Sequence, residues 1–131
     1  SDERKLDMLQ IELQDAMDHA RNVSYRMGAK HSVVFNVSQQ YLAVVNEQVV
    51  PVQDPLTRAP YIVRMIFPDQ PEGVRLELAQ FGDNNRPLAA FDEKGVLTDG
   101  GIVRISVNGT TQRWFAVNTA TATLEEVPIT P

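Results

Sequence analysis

The chain has 131 residues, 43% hydrophobic and 22% charged, which is the size and balance of one ordinary globular domain and excludes disorder over its whole length. Lys and Arg number 12 against 17 Asp and Glu, a net charge of -5 with no basic run, so nucleic acid is not an expected partner. The absence of cysteine excludes disulfide scaffolds, thiolate zinc sites and Cys nucleophiles, and no run of roughly 18 apolar residues is there to span a bilayer.

Residues 2–27 read as one helix. Leu6, Leu9, Leu13, Ala16, Ala20, Val23 and Met27 recur at alternating spacings of three and four, a narrow apolar seam bordered by Met17 and Ser24. Asp2, Glu3 and Asp7 near the start and Arg21, Arg26 and Lys30 near the end complement the helix dipole. Gly28 is the expected stop. The seam predicts a helix laid on a sheet.

The remainder, 32–127, reads as strands. Val33, Phe35 and Val37 alternate inward; Tyr41–Val45 and Val49–Val52 flank the turn 46–48 as a hairpin. Pro51, Pro55 and Pro60 make 51–60 a loop or a sheet-edge excursion. Tyr61–Phe67, Val74–Phe81 and Leu88–Phe91 follow as strands, separated by turns at 69–73, 82–87 and 92–95. Ile102–Val107 and Gln112–Val117 face each other across Asn108-Gly109, a hairpin signal. Leu124–Val127 adds an edge strand before the Pro128…Pro131 tail. One helix followed by seven or eight strands predicts an α+β fold over 1–131, a long N-terminal helix packed on antiparallel sheet.

Catalytic patterns are lacking. There is no G-x-S-x-G elbow, no phosphate-binding G-x-x-x-x-G-K-[ST] loop and no H-E-x-x-H. The two histidines, His19 and His31, read as a solvent-facing helix residue and a helix-end residue. Asp83, Asp92, Glu93 and Asp99 sit in neighbouring turns, where turn chemistry accounts for them without a metal. No enzyme activity, cofactor or metal is expected. Of the adjacent Trp114 and Phe115, one is expected in the core and the other on the outer face. An outward aromatic would suit a partner or sugar contact, the basis of an alternative reading as a β-sandwich carbohydrate-binding or interaction module.

Two residues of the helix break its pattern. Ile11 lies almost opposite the seam and Met8 to one side, so the N-terminal half is apolar on more than one face. No capping box opens the helix, since Arg4 stands where Glu or Gln would. These features predict a helix continuing from a longer one, with Met8 and Ile11 as subunit-contact residues.

A helix of this kind before an antiparallel β domain resembles the type IV pilin-like proteins. The segment Leu13-Gln14-Asp15-Ala16-Met17-Asp18-His19-Ala20-Arg21-Asn22-Val23, then Gly28 and the strand Val33-Val34-Phe35-Asn36-Val37, is similar to the minor pseudopilin H group of type II secretion systems and to the related minor type IV pilins. So is Phe91-Asp92-Glu93-Lys94-Gly95-Val96, followed by Ile102-Val103-Arg104-Ile105-Ser106-Val107. The resemblance implies the periplasmic domain of an inner-membrane-anchored subunit, with a transmembrane helix upstream of Ser1. The precursor would be cleaved and N-methylated. Its partners would be other pseudopilins or pilins of a filament that helps drive protein export.

Overall fold

In the computed structural model, which describes residues 1–128, the helix α1 runs over Asp2–Met27; residues 129–131 of the predicted tail lie outside the described residues. Ser1 opens α1, its hydroxyl accepting the Arg4 N–H at 3.3 Å. That is the forward half of a capping box, without the returning carboxylate. Gly28 closes α1 at φ 59°, the left-handed conformation, with its N–H on the Ser24 carbonyl. The seam is buried from Leu6 through Val23. Met17 and Ser24, read as bordering residues, are fully buried, while Met27 is exposed. Met27 stands in the last turn, beyond the point where the sheets can cover it.

Eight strands follow: β1 His31–Asn36, β2 Tyr41–Asn46, β3 Ile62–Arg64, β4 Val74–Phe81, β5 Leu88–Phe91, β6 Gly101–Val107, β7 Thr111–Asn118 and β8 Thr123–Val127. They form two antiparallel sheets in the orders β3-β2-β1-β5 and β4-β6-β7-β8. The predicted α+β class and the helix-on-sheet arrangement hold. Inward rows are apolar: Val33, Phe35, Leu42, Val44, Ala89 and Phe91 from the first sheet, and Leu76, Val103, Ile105, Phe115 and Val117 from the second. The α1 seam packs into the same cluster. Burying such side chains stabilises the fold by about 1.5–3 kcal/mol each before chain entropy is counted. Phe35 and Phe81 stack at 5.8 Å where the two sheets meet.

Three segments differ from expectation. Val49–Val52 forms no strand, only a bridge from Val45 to Pro51. The Asn46 N–H to the Val50 carbonyl and the Val52 N–H to the Val44 carbonyl flank that bridge, but the Val44 N–H goes to the Tyr61 carbonyl instead, so the ladder stops there. The predicted strand Tyr61–Phe67 is reduced to Ile62–Arg64. The Gln40 carbonyl still takes the Met65 N–H in register, but the chain then turns, with the Ile66 carbonyl accepting the Gln70 N–H and the Asp69 carboxylate folded back onto the Arg64 N–H, which ends the strand. His31 belongs to β1 rather than to the helix end. It is buried, and its Nδ1 pairs with the Ala29 carbonyl at 2.8 Å.

The turn into β8 contains no glycine. Ala122 takes the left-handed position there, at φ 55°, and is buried. Gln14 of α1 grips both sides of this turn, donating to the Ala122 carbonyl and accepting the Leu124 N–H.

Candidate subunit-contact face

With the seam turned inward, the opposite side of α1 must show what the sequence puts there. Met8 is 51% exposed and Ile11 61%. Beside them the loop 51–60 is folded tightly against itself. Asp54 accepts the Leu56 N–H at 2.8 Å, its own N–H bonds the Ala59 carbonyl, and Gln53 bridges to Pro60. This Asx turn lifts Leu56 clear of the protein, 91% exposed. Between helix and loop lies a groove of about 580 Å³. Met8, Ile11, Leu56 and Val63 supply its apolar surface, and Glu12, Asp15, Asp18 and Asp54 its charge.

No Lys or Arg lines the groove. Its field is therefore negative, and it acts on the ionisable groups beside it. Burial, reinforced by Asp69, Asp15 and Asp54, raises the Glu12 pKa above the usual carboxylate value. Burial, with Asp54, Asp15, Glu12 and Asp18 nearby, pushes the Tyr61 phenol up to about 12. His19 lies flat on the Tyr61 ring, centroids 5.2 Å apart. It is half-buried rather than fully solvent-facing, and burial together with Arg26 lowers its pKa. A His stacked on Tyr61 acts here as part of the groove wall. The arrangement can bind an apolar, cationic surface; it presents carboxylates without a nucleophile beside them.

The other sequence candidates fall elsewhere. Phe115 is in the core and Trp114 on the outer face of the second sheet, as alternation requires, but the Arg104 guanidinium lies 4.8 Å above the indole ring. That cation occupies the ring face a sugar would stack on. Asp92 is a turn residue, accepting the N–H groups of Lys94 and Val96 at 2.9 Å each. Those bonds hold its carboxyl below the usual value. Among the described residues no three His or carboxylate side chains gather as a metal site, and no helix is long and apolar enough to cross a membrane.

A buried Arg113 on β7, which sequence reading missed, faces the first turns of α1. Its guanidinium meets Glu3 at 2.6 Å, Asp7 at 2.7 Å and the Gln10 side chain at 3.0 Å. It fixes the end of the helix that carries Met8. The signal was available: Arg113 stands two residues before Phe115, on the inward side of the alternation.

No family model matches the chain, and no curated protein is similar to it in sequence. Two solved structures share its fold. The minor pseudopilin EpsH from the type 2 secretion system of Vibrio cholerae superposes with a TM-score of 0.61, over 92% of this chain and 94% of that one, at 11% identity. The type IV minor pilin FimU of Pseudomonas aeruginosa superposes with a TM-score of 0.55, over 93% and 90%, at 15% identity. The fold is pilin-like: one N-terminal helix on two antiparallel sheets.

Proposed function

We propose that this chain is the periplasmic domain of a filament subunit, a minor pseudopilin of a type II secretion pseudopilus. The observation that carries the reading is the match of the helix and both sheets to EpsH over nearly the full length of each chain. The exposed apolar pair Met8 and Ile11, on the side of α1 turned away from its own sheets, supports it. A helix that packs only within its own domain gains nothing from burying a second face.

In this reading the function is mechanical. An upstream continuation of α1 anchors the subunit in the inner membrane and packs in the filament core. The groove of Met8, Ile11 and Leu56 meets a neighbouring subunit, and the sheets face outward. Growth of the filament then helps move exported proteins through an outer-membrane channel. The fold shared with FimU favours a second reading, a minor type IV pilin. Both readings share architecture and differ in the assembly served.

The test is intact mass and N-terminal sequencing of the native chain purified from membranes. The expected result is an N-methylated apolar residue opening an apolar helix of about 20 residues ahead of α1. A soluble mature chain released by a signal peptidase overturns the filament reading. Deleting the chain in its own host then separates the two systems: lost protein export indicates the pseudopilus, and lost surface pili the pilus.

A further inference from the structure

The first sheet is apolar on both faces. Val33, Phe35, Leu42 and Val44 turn inward to the core, so Val34, Ala43 and Val45 of the two central strands point away from α1. An antiparallel sheet with one solvated face carries polar residues there; β2 instead is buried continuously from Leu42 to Val45. The register aligns one row across all four strands: Ile62 opposite Ala43, Ala43 opposite Val34, and Val34 opposite Leu88. Small side chains stand in the middle and larger ones on both edges, so the row is a trough. Two hollows of about 350 and 410 Å³ lie along it and share Val34, Val45 and Val49.

Val49 stands where the hollows meet, exposed and at φ 61°. A β-branched residue is strained in the left-handed region, and an exposed side chain gains little packing to offset that. Asn or Gly would suit the turn better; what valine adds is apolar surface at the trough.

Charge on this face runs against that of the chain. Arg64 stands on the edge strand β3, Arg86 leads into β5 at the opposite edge, and Lys30 precedes β1. Glu47 is the one carboxylate that lines either hollow. All three cations are exposed, and none is in an ion pair among the described residues. An apolar strip is thus bordered on both sides by positive charge, in a chain whose net charge is -5. Four strands make a face about 14 Å wide, which one helix about 10 Å across fills.

We propose that the outer face of the first sheet docks an amphipathic helix of a different protein, its apolar stripe in the Ile62–Ala43–Val34–Leu88 trough and its acidic flanks against Arg64 on one side and Arg86 and Lys30 on the other. α1 covers one face of the sheet and the partner helix covers the other, as an apolar sheet face requires. Val49 anchors the contact, and its strain is stability given up for it. This goes beyond the filament reading and does not depend on it.

The test places a photoreactive benzophenone side chain at Tyr41, an aromatic position on the trough wall, in the full-length chain in its own host. The same group at Ile102, exposed on the outer face of the second sheet, is the control. The expected result is an adduct with a different protein at Tyr41, several-fold above the control. Its cross-linked peptide, sequenced by mass spectrometry, is expected to carry apolar residues at helical spacing with Asp or Glu on both flanks. Arg64→Glu combined with Arg86→Glu is expected to cut the adduct several-fold at unchanged Tm. Val49→Asn is expected to cut it while raising Tm, a combination that loss of fold does not produce. A yield at Tyr41 no higher than at Ile102 overturns the docking face. So does an adduct with a second copy of this chain alone, a cross-linked peptide without flanking carboxylates, or an adduct that survives the charge reversal. None of these outcomes touches the filament reading, which the native mass and N-terminal sequence judge independently.

Discussion

Arg113 on β7 donates to the Glu3 carboxylate at 2.6 Å, tying the first turn of α1 to the second sheet. The two ends of this pair live in different surroundings: the arginine side chain is 10% exposed and the glutamate 67%. Water screens the carboxylate, so the ion pair itself adds little. The buried stem and the several hydrogen bonds made by one guanidinium contribute more. Arg113→Ala is expected to cost about 2 kcal/mol, and Arg113→Met, which keeps the stem, less than half of that. Urea denaturation of both variants checks this; equal losses would mean that charge, not packing, holds the helix start. In hydrogen exchange, protection is expected to fall first over residues 3–10.

Gln40 joins the two sheets by a different device. Its side chain donates to the Leu76 carbonyl at 2.7 Å and accepts the Leu76 N–H at 2.9 Å, next to the irregularity in β4 between Leu76 and Leu78. Both backbone groups of one residue are therefore satisfied by one distant amide. Gln40→Leu is expected to destabilise by about 2–4 kcal/mol, because it leaves two partly buried polar groups unpaired. Gln40 is also left-handed, at φ 57°. Gln40→Gly loses the same bonds but relieves that backbone, so it is expected to cost less than Gln40→Leu. Thermal melts of the two variants rank them.

The parts of this protein legible in the sequence were those written as local periodicity. The seam from Leu6 to Val23 specified α1, and alternation specified β1, β4, β6 and β7. The groove was legible only in half. Met8 and Ile11 announced themselves by falling off the seam, but Leu56 and Asp54 come from a loop whose prolines say only that it is not a strand. Nothing local reveals that Asp54 folds that loop into a wall facing Glu12 and Asp15, about 40 residues earlier in the chain. The shortening of β3 was hidden for the same reason. Tyr61–Phe67 has the composition of a longer strand, and nothing in it shows that the chain turns off β2 right after Met65, with the Ile66 carbonyl accepting the Gln70 N–H.

Val49 sits at φ 61°, where a β-branched residue is strained. Its side chain is 66% exposed, so little packing compensates. The turn is otherwise well made, with the Asn46 side chain accepting the N–H groups of Gln48 and Val50. Val49→Asn suits the left-handed position and is expected to stabilise the domain by about 1 kcal/mol, raising Tm by about 3–5 °C. An unchanged or lower Tm would show that Val49 is held by contacts worth as much as its strain.

The groove gives stability a pH dependence of known sign. The Glu12 pKa is raised in the fold by burial and then by Asp69, Asp15 and Asp54. Between its unfolded value, near 4.5, and its raised folded value, the native state holds more protons than the unfolded chain. This contribution to stability is therefore present below pH 4.5 and lost as pH rises through the folded value. Glu12→Gln removes the charge that is disfavoured at neutrality, so it is expected to raise Tm at pH 7 and to have almost no effect near pH 4. His19 acts in a separate window. Its pKa is lowered by burial and by Arg26 from 6.5, so the unfolded chain binds the extra proton, and stability falls as pH drops below 6.5 toward the folded value. His19→Gln is expected to remove that loss and flatten the melting profile between pH 6.5 and the folded His19 value. Melting curves from pH 4 to 8 for the parent and both variants separate the two groups. If Glu12→Gln gives the same gain at pH 4 as at pH 7, the effect is packing, and the groove does not carry the uncompensated negative charge on which its preference for a cationic partner depends.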